Sequence, residues 1–120
     1  MKQSKKVIDF IQKECKRYCK QIGIQEPHLI FSDSDLRKAT ADAREFRDAK
    51  RSTLGLSWHR RDTGFDHDII YLNLKNTDYI AQLIQTLIHE LVHLRFPNSR
   101  HETDSFNDRI NGITMGDKFQ

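Results

Sequence analysis

At 120 residues, 37% hydrophobic and 31% charged, the chain has the size of one domain with one core, and it leaves no room for a separate substrate or regulatory domain. A net charge of +3 permits weak attraction to nucleic acid without arguing for it, and no apolar run reaches the length of a membrane span. The basic start, Met1 to Lys6, runs into Asp9, Gln12, Lys13 and Glu14 instead of an apolar stretch, so no signal peptide is expected and the cytoplasm is the expected compartment.

A first helix is expected from Ser4, an N-cap residue, to Gly23, a helix terminator. Val7, Ile8, Ile11, Cys15, Tyr18 and Ile22 form its apolar stripe, which backs the core. Cys15 and Cys19 lie four apart on this helix, side by side and poorly set for a disulfide, so packing thiols are expected. Pro27 breaks the chain, and His28 to Phe31 reads as a short strand before a turn at Ser32-Asp33-Ser34. From Asp35 to Arg51 charges are dense, and Leu36, Ala39, Ala43 and Phe46 give only a thin stripe, as in a solvated and partly helical segment. Thr53 to His59 and Asp68 to Leu74 then read as the strands of a hairpin that turns at Asp62 to Asp66. One of these strands can form a sheet edge that pairs with an extended peptide.

The next helix, Thr77 to Leu94, carries Ile80, Leu83, Ile84, Leu87, Ile88 and Leu91 at helical spacing and ends in His89-Glu90-Leu91-Val92-His93. Two histidines four residues apart share one helix face and can hold a single Zn²⁺, and a glutamate directly after the first can reach a water on the metal as general base. Both histidines fall beside the apolar stripe, not opposite it.

Catalytic zinc takes three protein ligands, so one more is needed. Pro97 ends the helix, Asn98-Ser99 suit a turn, and a last helical pattern begins at His101-Glu102. Glu102 leads at helical spacing to Phe106, Ile110 and Ile113, the face that packs inward, whereas His101 leads to Ser105 and Asp108. Glu102 is therefore the expected third ligand, with His101 as the alternative or as a residue supporting the ligands. The metzincin pattern is absent, because Phe96 and Ser99 stand where its glycine and third histidine would be; Met115 is expected simply to pack.

The run Ile70-Tyr71-Leu72-Asn73, then Thr86 to Pro97 around the motif, then His101 to Phe106, resembles the minigluzincins, very small zinc metallopeptidases related to SprT-like and YgjP-like proteins. The resemblance spans about Thr53 to Ile113. It implies a strand before the active-site helix and a C-terminal helix after it with the third zinc ligand; together with the N-terminal backing helix and the hairpin read above, a single small zincin-like α+β domain with a small mostly antiparallel sheet is expected over residues 1–120. Carried over, His89 and His93 are ligands, Glu90 is base and acid, and Glu102 stands at the family's glutamate. The SprT and YgjP groups use a histidine there, which keeps His101 open, although Glu102 to Phe106 fits the usual interval to the aromatic and His101 to Phe106 is one residue longer.

The expected activity is zinc-dependent endopeptidase hydrolysis of a peptide or unfolded protein, with His59, His67, Tyr79 and Arg95 as oxyanion candidates by residue type alone. Latency through the tail Gly116 to Gln120 or through self-association would restrain such a cleft. Two rivals remain: a DNA-associated or repressor-cleaving regulatory peptidase, and a non-catalytic module in which zinc only ties helices together.

Overall fold

A computed structural model describes residues 1, 4–39, 54–97, 103–116 and 118. The charged stretch beyond residue 39, together with His101, Glu102 and the last two residues of the tail, lies outside them.

Helix α1, Lys5–Ile22, has the expected bounds: the Ser4 side chain accepts from the Val7 N–H, and Gly23 closes the helix at φ 71° with its N–H on the Cys19 carbonyl. A left-handed residue there costs least as glycine, because no Cβ meets the carbonyl. Its stripe buries Ile11, Cys15, Tyr18, Cys19 and Ile22, while Val7 and Ile8 are partly buried. The two thiols are free, buried and 3.9 Å apart at sulfur, consistent with packing.

Strands β1 (His28–Ile30), β2 (Gly55–Trp58) and β3 (Ile69–Leu72) form one sheet in the order β1-β3-β2. β2 pairs antiparallel with β3, Gly55 opposite Leu72 and Trp58 opposite Ile69, so the expected hairpin partners do meet. Both strands are shorter than expected. Their connection is also different: His59 caps a single helical turn, α3 (Arg60–Thr63), which Gly64 ends at φ 77°. β1 joins the other side of β3 in parallel, His28 opposite Ile69, so the sheet is mixed and not mostly antiparallel. A parallel partner needs a long crossover, and this one runs from Phe31 to Asp68.

β3 is buried on both faces, which accounts for its unbroken apolar sequence Ile-Ile-Tyr-Leu. Ile70 and Leu72 face the cluster built with α1 and two later helices; Ile69 and Tyr71 face a second, smaller cluster with Ile30 and Leu36. Leu36 comes from α2, Asp33–Ala39, which begins where a turn was expected. Ser32 is the reason. Its hydroxyl accepts from Asp35 N–H at 3.1 Å and its carbonyl from Leu36 N–H at 3.0 Å, so the residue that looked like a turn starts a helix.

After a 3₁₀ turn at Leu74–Asn76, α4 spans Ile80–Arg95 and buries Leu83, Leu87, Ile88, Leu91, Val92 and Leu94. It packs on α1, on β2 and β3, and on α5, Asp104–Thr114. α5 starts later than expected: Thr103 is its N-cap, with extended backbone and a hydroxyl that accepts from Phe106 N–H at 3.1 Å. Phe106 and Ile113 face the core as expected, but Met115, the C-cap just past the end of the helix at Thr114, is 87% exposed and does not pack. The domain is therefore a small α+β unit with five helices among the described residues, none long and apolar enough to cross a membrane.

Candidate metal centre

The last turns of α4 bring His89, Glu90 and His93 together, with their ligand-type atoms all within 4.8 Å of one another, a cluster that can hold a metal ion. The four-residue spacing places both imidazoles on one helix face, and their Nε2 atoms converge to 3.2 Å. Imidazole–metal bonds are about 2.0–2.1 Å long, so nitrogens at that separation would be within reach of a single ion. The rings are half-buried and held from behind. Phe106 of α5 lies 5.0 Å from each ring centroid, at 66° to His89 and 46° to His93, so a core aromatic restricts how either imidazole turns.

Glu90 points toward the sheet. It is 5% exposed, on the α4 side that meets β2, and its carboxylate is hydrogen-bonded by Ser57. Burial pushes its carboxyl from 4.5 up to about 7, with the Ser57 hydrogen bond acting in the opposite direction. In the metal-free protein the sign of the consequence is fixed. The folded state keeps the proton up to about pH 7 and the unfolded chain only to about 4.5, so the stability from the protonated form is complete below pH 4.5 and is lost as pH rises through 7. Glu90→Gln does not ionise. With chelator present it is expected to match the parent near pH 4 and to exceed it by about 3 kcal/mol at pH 8. Urea midpoints that coincide at pH 8 would show that burial does not govern this carboxyl.

Close approach of β2 to α4 depends on Gly55. A Cβ at this position would lie 2.6 Å from Thr86 Cγ2, 3.1 Å from the Tyr71 carbonyl oxygen and 3.4 Å from Glu90 Cγ. Thr86 cannot easily yield, because its hydroxyl is bonded to the Gln82 carbonyl at 2.9 Å. Gly55→Ala is expected to destabilise by about 1–3 kcal/mol through overpacking, and Thr86→Ser, which removes Cγ2, to restore most of that loss in the double variant. Additive losses in urea unfolding would contradict this account.

The cluster forms one wall of a cleft of about 370 Å³ lined by Gly55, Leu56, Ser57 and His59 on one side and His89, Glu90 and His93 on the other. β2, which supplies the opposite wall, is an edge strand among the described residues. Of the four oxyanion candidates only His59 lines this cleft. His67 sits beside His28 along a separate cavity of about 380 Å³. Tyr79 precedes the first residue of α4, ten residues or about 15 Å of helix from His89, and is 73% exposed. Arg95 donates from Nε to the Ile22 carbonyl at 3.2 Å, on the α1 side. Sequence reading missed Gly55, Ser57 and the Phe106 contact with the rings. Only Phe106 carried a local signal, its place on the apolar face of α5.

His101 and Glu102 lie outside the described residues, so the third-ligand choice stays with the chain just before Thr103. Comparison of the chain with protein-family models, curated proteins and solved structures returned no match.

Proposed function

We propose that the protein is a zinc-dependent endopeptidase acting on peptides or unfolded proteins. The observation that carries this reading is the convergence of two imidazole Nε2 atoms beside a buried carboxylate, in a cleft whose opposite wall is an edge strand. Two borderline-soft imidazoles, completed by one harder carboxylate, suit Zn²⁺. His89 and His93 would hold the ion, with Glu102, or His101 in its place, as third ligand. Thr103 supports this choice, since its hydroxyl is tied to Phe106, the residue that touches both rings. A bound zinc supplies Lewis acidity and lowers the pKa of a water.

The chain's own residues divide the remaining work. Glu90 takes a proton from the attacking water and returns it to the leaving amine, a role open to a carboxylate that lies beside both imidazoles. Ser57 holds that carboxylate against β2. β2 pairs on one side only among the described residues, so its other side offers backbone donors and acceptors to an extended substrate. The decisive experiment compares hydrolysis of a fluorescently labelled, reduced and alkylated protein by zinc-loaded and chelator-treated samples. Cleavage should require the metal and return with it; equal cleavage in both, or none in either even at nanomolar concentration and after removal of the residues beyond Met115, would sink the proposal. The cytoplasm is the compartment proposed for this activity, and restraint by the C-terminal tail or by self-association is proposed with it.

A further inference from the structure

We propose that His59 is a substrate-contacting hydrogen-bond donor of this cleft, and that its Nε2–H binds the amide carbonyl oxygen as that oxygen gains negative charge. The inference rests on the peptidase reading and adds a residue that the metal motif does not contain.

Strand alternation puts the ring on the correct side. Gly55 lies against Glu90 and Thr86, Ser57 is bonded to Glu90, and His59 follows at the same two-residue step. The backbone is still extended at His59, φ −74° and ψ 136°, so the alternation carries through the end of β2. His59 accordingly lines the same cleft as His89, Glu90 and His93.

The other side of the ring is already committed. Nδ1 accepts the Arg61 N–H at 3.1 Å, which caps α3. A neutral imidazole that accepts at Nδ1 carries its hydrogen on Nε2. No hydrogen bond recorded among the described residues uses that Nε2–H. Asp68 stands behind the ring: its Oδ1 is 3.8 Å from His59 Nδ1, is 2.7 Å from the Arg60 N–H that it accepts, and belongs to a residue 6% exposed. The cap thus holds one edge of the imidazole and leaves the donor edge for a ligand. A fixed donor of this kind needs little reorganisation when charge develops on the substrate oxygen.

His59 also caps a helix, so the test must separate the two roles. Asn is a strong N-cap that can accept from Arg61 N–H, yet it lacks a donor at the reach of Nε2. Binding of N-phosphoryl-leucinamide, whose tetrahedral phosphoryl oxygens stand in for the charged carbonyl oxygen, is measured by calorimetry on zinc-loaded parent, His59→Asn and His59→Ala. His59→Asn should keep the parent's melting temperature and zinc content, bind the phosphoryl compound on the order of 100-fold more weakly, and lose kcat by a similar factor with little change in KM. His59→Ala should show the same losses plus a lower melting temperature. Parent-like binding by His59→Asn would reduce His59 to a cap and overturn the proposal, as would failure of the parent to bind the compound. If the parent binds it and His59→Asn does not, but neither cleaves peptides, the peptidase reading fails while the donor assignment stands.

Discussion

Replacing Glu90 with Gln is expected to leave one zinc per chain and to lower peptide hydrolysis by about 10³-fold, within the range that general acid–base groups contribute. The side chain keeps its size, so the fit under Gly55 is preserved, and its amide oxygen can still accept from Ser57. Only the proton acceptor is removed. In the proposed ligand set Glu90 does not bind the ion, which is why metal content and hydrolysis should separate. A non-catalytic module in which zinc merely ties helices together predicts a different pattern: the parent itself would show no hydrolysis, and the variant would have nothing to lose. A third pattern, in which Glu90→Gln also empties the site, would make Glu90 a ligand and assign the proton transfer elsewhere. Elemental analysis and kinetics on the same samples distinguish all three.

The features legible in the chain are those carried by local periodicity and caps. α1 runs from the Ser4 cap to Gly23 as read, and the apolar stripe of α4 delivers His89 and His93 to one face because the 3.6-residue repeat is a local property. The β2–β3 pairing was legible too, since alternation on both sides of the turn-type residues Asp62 to Asp66 marks a hairpin, although the connection itself holds a helical turn. The partner of β1 was not. Nothing within His28 to Ile30 encodes that it lies parallel to β3, and that choice is made by packing across more than thirty intervening residues. Ser32 was misread because serine serves both turns and N-caps, and only the bonds from Asp35 and Leu36 decide between them. The motif named its own residues but not its surroundings. Gly55 matters because α4 passes within contact distance of it, and Ser57 matters because its hydroxyl meets a carboxylate 33 positions away in sequence. Neither contact leaves a trace in the neighbouring sequence. Phe106 was legible as a core residue, yet its contact with both imidazoles depends on how α5 crosses α4.

Loss of the third ligand should have the other large effect. Glu102→Ala is expected to weaken zinc binding by more than about 100-fold, and His101→Ala by no more than about 10-fold, the lower end for residues that only support ligands. Helical spacing is no longer the argument for Glu102, because α5 begins at Asp104 and Thr103 is its extended cap. Charge and position carry the choice instead. Two neutral imidazoles leave the full double charge of the ion in a half-buried cleft beside apolar Phe106, and a carboxylate ligand halves that charge whereas a third imidazole does not. Glu102 is also the residue directly before Thr103, whose hydroxyl accepts from the N–H of Phe106, and so stands one position nearer in sequence to α5 than His101. Competition with a chromophoric chelator measures both affinities, and circular dichroism confirms that each variant remains folded. The reverse order of affinities would name His101 as the ligand. Undiminished zinc binding in both variants would remove the third-ligand arrangement altogether and leave His89, Glu90 and His93 as the complete set, with Glu90 then needed to hold the ion it was expected to serve.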